Sequence, residues 1–129
     1  MERWLGRFSD VAYALLRVMA GLMFALHGSQ KLFNFPPGEH GGVELLSLRG
    51  LAGVIELFGG LLIAAGIFAG YAAFIASGEM AVAYFMVHAP NGFWPLVNHG
   101  ELPALYSFVF LYIATRGNGR YAIVSRRGG

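Results

Sequence analysis

The chain has 129 residues, of which 57% are hydrophobic and only 12% charged, with a net charge of +2 and a mean hydropathy of +0.58. A soluble domain carries about 25% charged residues, so this composition excludes a water-solvated globule, and its 15% aromatic content excludes disorder. Cysteine is absent, which removes disulfides, thiol nucleophiles and thiolate metal sites.

The first apolar run extends from Val11 to Gln30, behind Arg3 and Arg7. It is about 20 residues long, holds Arg17 and lacks a small-residue cleavage site, so it reads as a retained span and not a signal peptide. A second stretch, Gly50 to His88, runs 39 residues with only Glu56, Glu79 and His88 as titratable interruptions. One straight helix of that length would be nearly 60 Å long at about 1.5 Å per residue, twice the hydrocarbon core. It must fold back, and Gly66 and Gly70 are the natural break, giving spans Leu51–Gly66 and Gly70–Val87. Pro90, Asn91 and Gly92 then stop the third helix. The fourth run starts at Glu101, with Pro103 in its first turn, where a missing N–H costs little. Its apolar part, Leu102–Thr115, is short, but it shows no strongly charged face of the kind an interfacial helix carries.

These runs predict an all-α integral membrane four-helix bundle, a single domain over residues 1–129 with spans at about 11–30, 51–66, 70–87 and 101–116. Arg3, Arg7, Arg116, Arg120, Arg126 and Arg127 flank the termini, whereas the long loops carry Lys31 and Arg49 only at their edges. Both termini are therefore expected in the cytoplasm and the two longer loops outside. The basic C-terminal tail reads as membrane-flanking, with no nucleic-acid partner. Phe93 and Trp94 read as interface anchors.

Arg17, Glu56 and Glu79 are the polar intruders. A charge at the bilayer centre costs at least about 2.5–3.5 kcal/mol, so a buried cluster is expected in which Arg17 pairs with one glutamate. The other acid is then protonated or held by a different donor. The cluster reads first as a structural ion pair, with proton handling or ligand binding as the alternative. Arg17, Gly21, Phe24, Gly28 and Lys31 follow one helix face, and Gly53, Glu56 and Gly60 make a matching notched face on span two, where small residues permit close approach.

The histidines give a second grouping. His27, His88 and His99 map to the extracytoplasmic end, with His40 in the loop on that side. His27, Lys31, His88, Asn98 and Glu101 are the expected ligand-binding cap, able to donate to a small anion or to a carbonyl such as that of a quinone. On a regular helix His88 falls about 180° round from Glu79, so the two share an axis only if the helix distorts near Pro90. The imidazole spacing matches no metal or haem motif, and no catalytic set emerges: there is no phosphate-cradling loop, GxSxG, HExxH or nucleotide fingerprint.

The string Leu16-Arg17…Gly21…His27-Gly28-x-x-Lys31-Leu32-Phe33 resembles the first helix of DoxX-family membrane proteins, and Gly53-x-x-Glu56-x-x-Gly59-Gly60 resembles their second. Ser77-Gly78-Glu79-Met80-Ala81-x-Ala83-Tyr84-Phe85, His88-Ala89-Pro90-x-Gly92-Phe93-Trp94-Pro95 and Asn98-x-Gly100-Glu101 are similar to one bacterial branch. The resemblance covers about residues 10–121. It implies a four-helix protein of the bacterial inner membrane with a redox association, since relatives include a subunit of an archaeal thiosulfate:quinone oxidoreductase and members of oxidative-stress complexes. At most it implies a membrane subunit of an oxidoreductase complex; the cofactor stays open, a quinone being one candidate. Arg17, His27, Lys31, Glu56, Glu79, His88, Asn98 and Glu101 match the family pattern, and the Arg126-Arg127 tail departs from the branch's short acidic ending. Two other functions stay open: a non-catalytic anchor or assembly factor, and a small-molecule or ion transporter coupled through the Arg17–glutamate cluster. The transporter would need a homo-oligomer, because four short helices enclose a small pathway.

Overall fold

A computed structural model describes residues 1–38 and 46–125, and among these every regular element is helical. His40, Arg126 and Arg127 lie outside the described residues. Two short turns, Glu2–Leu5 and Gly6–Phe8, lead into α1 (Ser9–Phe33). Asn34 ends α1 in the left-handed conformation, a position Asn tolerates. Helix α2 (Leu48–Ala65) begins at Ser47, whose hydroxyl accepts from the Gly50 N–H at 2.9 Å and caps the first turn. It ends at Gly66, φ +74°, whose N–H turns back onto the Leu62 and Ile63 carbonyls.

The chain reverses within three residues, and α3 (Ala69–Ala83) starts with its first N–H bonded to the Asn118 side chain at 2.8 Å. Helix α3 then continues as a π-helical turn, Tyr84–His88, and a 3-10 turn, Ala89–Asn91. A single turn at Pro95–Asn98 precedes α4 (Glu101–Arg116).

Three stretches, Glu2–Phe33, Leu48–Ala65 and Ala69–Asn91, are long and apolar enough to cross a membrane. Helix α4 has 16 residues, about 24 Å at 1.5 Å per residue, which is shorter than the hydrocarbon core. The distribution of side chains agrees with a lipid solvent. Leu15, Met19, Phe58, Phe74 and Phe108 are all exposed, while the interior is made of Phe24, Ile63, Phe110, Ile113 and the alanines of α3. So many outward large apolar groups on a small chain mark a surface that water does not solvate.

Helix α1 packs most closely on α2, and α3 on α4. The first pair is backbone against backbone. A Cβ on Gly21 would stand 2.5 Å from the Ala64 nitrogen, and one on Gly60 would stand 2.5 Å from the Gly21 oxygen. A Cβ on Gly28 would collide with the Leu57 nitrogen and lie 2.5 Å from the Gly53 oxygen. The second pair is tied by reciprocal serine bonds, Ser77 Oγ to the Ser107 carbonyl at 2.7 Å and Ser107 Oγ to the Ser77 carbonyl at 3.1 Å. Both devices suit helices that associate without a hydrophobic driving force.

The expected Arg17–glutamate pair does not form. Arg17 is 2% exposed, and among the described residues its guanidinium donates only to carbonyls: Ile63 at 3.0 Å, Ala64 at 3.3 Å, Asn118 at 3.4 Å and Tyr121 at 3.1 and 3.3 Å. Ile63 and Ala64 are in the last turn of α2, where carbonyls lack the regular i+4 donor and the helix dipole is negative. Arg17 therefore clamps the α2 end and the tail, which also bonds back through Ile123 N–H to Ala65 O at 2.9 Å. Glu56, 1% exposed, pairs instead with Lys31. Lys31 reads as a loop edge when α1 is ended near residue 30. The helix runs to Phe33, which puts Lys31 on the same face as Phe24 and His27, opposite Glu56.

Candidate functional site

The C-terminal ends of α1 and α3 and the N-terminal ends of α2 and α4 meet at the end of the molecule opposite the Gly66 reversal. There they enclose a cavity of about 370 Å³. Helix α1 contributes Phe24, His27 and Lys31, at the i, i+3, i+7 spacing of one face, and α2 contributes Arg49 and Glu56, also seven apart. The π-helical turn supplies His88. Its wider winding carries His88 round the axis from the place a regular helix would give it, so that it faces the cavity. His99, Leu102, Pro103 and Tyr106 complete the wall from the α4 side.

The imidazoles are held by specific contacts. His88 Nδ1 lies 3.0 Å from the Asn98 carbonyl oxygen, which can only accept, so Nδ1 carries the proton and Nε2 is left as an acceptor. The His88 ring also stacks over Tyr84 at 6.5 Å, and His27 meets Tyr106 edge-on at 6.1 Å.

A second cavity of about 290 Å³ adjoins the first. Lys31, Arg49, Ala83 and Val87 line both. Glu79 lines this second space together with Leu51, Ala52, Ile55, Val82 and Met86, within electrostatic reach of Glu56 and Lys31. Four buried side-chain atoms lack a hydrogen-bond partner among the described residues: Arg49 Nε, both Glu79 carboxyl oxygens and the Tyr106 hydroxyl. All four belong to residues lining one or both of these cavities.

Of the residues expected in the ligand-binding cap, His27, Lys31 and His88 line the cavity. Asn98 does not. It is 1% exposed and holds the roof together, donating to Tyr84 Oη at 3.1 Å and to the Gly92 carbonyl at 2.9 Å, while its own Oδ1 accepts from Gly100 N–H at 2.8 Å. Glu101 sits exposed on the first turn of α4 and is not among the lining residues. The expected charge cluster is divided between two ends of the molecule, with Arg17 at the α2 C-terminus and Glu56 and Glu79 beside the cavities. Arg49 and Tyr106 are the residues that the sequence reading passed over. Arg49 carried a signal, since 49, 53 and 56 follow the i, i+4, i+7 rhythm of the notched face on α2. Among the described residues no group of three His, Asp or Glu side chains is placed to hold a metal ion.

A helical membrane protein with a polar cavity at one end of its helices is the class that these observations define. The chain belongs to the DoxX family, whose model matches residues 12–89. It is similar to a protein of Haemophilus influenzae described as uncharacterized, with 41% identity over 124 residues and 92% of each chain covered. No solved structure matches.

Proposed function

We propose that the protein is a multi-pass component of the bacterial inner membrane, with four crossing helices and both termini in the cytoplasm. It serves redox-linked metabolism by binding a small oxygen-bearing ligand, or an oxidoreductase partner, at its extracytoplasmic cavity. One observation carries the ligand reading: the buried unpartnered polar atoms gather at two adjoining cavities. Buried polar groups are nearly always hydrogen-bonded, and three exceptions, Arg49, Glu79 and Tyr106, around two adjoining cavities are what a binding site for a polar head leaves behind. The redox association rests on the family resemblance.

A quinone, one candidate ligand, fits the donor set. Lys31, His27 and the Tyr106 hydroxyl offer N–H and O–H groups to carbonyl oxygens, and Phe24 and Leu102 offer apolar walls. When bound, a quinone supplies two-electron, two-proton chemistry. The chain's own contribution is to orient the head between Lys31 and Tyr106, and to accept or return a proton at His88 Nε2, the ring nitrogen that the Asn98 carbonyl leaves free.

The test is titration of a quinone analogue into purified protein. Saturable binding that weakens in His27→Ala and His88→Ala, with melting behaviour retained, is the expected result. Binding that is absent, or indifferent to both substitutions, refutes the quinone assignment.

A further inference from the structure

The two cavities differ in character and meet at one guanidinium. The larger is ringed by imidazoles, Lys31 and Tyr106, while the smaller is walled mainly by aliphatic side chains of α2 and α3. Its outer rim, Leu51, Val82 and Met86, is exposed, so in a lipid solvent this cavity opens sideways into the bilayer along the α2–α3 seam. That seam is looser than the glycine-packed α1–α2 interface and the serine-tied α3–α4 interface.

Arg49 lines both spaces. The charge of Lys31 is balanced by Glu56, but among the described residues no carboxylate lies within ion-pair distance of Arg49 and no acceptor meets its buried Nε. A half-buried cation with no counter-ion among the described residues is stabilised by an anion, and a guanidinium fork matches a carboxylate best. Tyr106, 5% exposed, lines the polar cavity with a hydroxyl that also lacks a partner.

We propose that the ligand of this site is a single-chain amphiphile with a carboxylate head, which enters from the bilayer through the α2–α3 seam, seats its head on Arg49 and Tyr106, and lays its tail along Leu51, Ala52, Ile55 and Val82. This rests on the reading of the polar cavity as a ligand site. It adds the head charge, the chain and the lateral route. A polar cavity adjoining an apolar, membrane-facing one, with four lining residues in common, can hold both halves of an amphiphile at once. A water-soluble ligand would leave the second cavity without a role.

The experiment uses the full chain in phosphatidylcholine nanodiscs, titrated with the fluorescent long-chain carboxylate cis-parinaric acid against protein-free discs. Saturable binding is expected, weakened about tenfold or more by Arg49→Gln, less by Arg49→Lys, severalfold by Tyr106→Phe, and abolished by Ala52→Trp, which fills the seam. Melting curves identify the variants that remain folded, and Arg49→Lys and Tyr106→Phe keep the test decisive if Arg49→Gln does not fold. Affinity unchanged in the folded Arg49 variants overturns the proposal. So does displacement of the probe by butyrate as readily as by a long-chain acid. If parinaric acid fails while the quinone analogue still binds in a His27-dependent manner, only this inference falls. If both probes fail, the ligand-site reading falls with it.

Discussion

Replacing Arg17 separates two ways of burying a charge. The guanidinium is 2% exposed and makes five hydrogen bonds to four backbone carbonyls, at 3.0 to 3.4 Å. Hydrogen bonds to a charged group contribute about 1.5–3 kcal/mol each. These five share one group and several are long, so they act as two good bonds, not five. Arg17→Ala should then cost about 3–5 kcal/mol, and at about 3 °C per kcal/mol for a chain of this size it lowers Tm by about 10–15 °C. Arg17→Lys keeps the charge but replaces a planar fork with a single point that reaches fewer carbonyls, and it should lose about half as much.

Neutralising Glu56 or Glu79 should not rescue Arg17→Ala, because neither carboxylate is its partner. The same variant should release the tail, which Arg17 holds at the Asn118 and Tyr121 carbonyls, and so speed proteolysis within residues 118–125. Thermal melts of the single and double variants, with limited proteolysis, provide the assay. Recovery of stability in Arg17→Ala/Glu56→Gln, or a silent Arg17→Lys, would refute the carbonyl-clamp argument and reinstate an ion pair.

Lys31→Met leaves Glu56, 1% exposed, without its counter-ion and should cost about 3–5 kcal/mol. Lys31→Met/Glu56→Gln should recover most of that in a thermal melt. Gly28→Leu forces a side chain into the Leu57 and Gly53 backbone, so α1 and α2 must separate and the yield of folded protein in membranes should collapse, whereas Gly78→Leu, which meets open space, should be tolerated. Asn98→Ala removes the bonds to Tyr84, Gly92 and Gly100 and should cost about 2 kcal/mol, with faster amide exchange at residue 100. Reporter fusions at Gly38 and Gly92 should read extracytoplasmic and a fusion at Gly129 cytoplasmic; agreement of all three would overturn the crossing pattern proposed above.

The sequence by itself determined the solvent and the periodic elements. A 12% charged chain with continuous apolar runs of about 20 residues, longer than a barrel strand needs, satisfies its backbone in lipid as helices, and Gly66 marked the reversal because a left-handed turn residue is a local property. The facing of Gly21 and Gly28 on Gly53 and Gly60 was also readable, since helical period places small residues on one stripe. Partner choice was not. Whether Arg17 meets a carboxylate or a carbonyl depends on how far the α2 C-terminus and the tail fold back beside it, a distance that residue spacing along α1 does not encode. Lys31 and Glu56 lie on the two matched helix faces, but which of the two cations on the α1 face, Arg17 or Lys31, meets the carboxylate is set by how far along the helices the faces align in the packed bundle. His88 faces the cavity only through a π-helical turn, which shifts register by an amount no regular period anticipates. The divided roles of the cap residues follow from the same cause. Asn98 and Glu101 are near His88 in sequence, but the loop folds Asn98 inward as a brace and leaves Glu101 outside, while Arg49 and Tyr106 come in from helices whose seams only packing brings together.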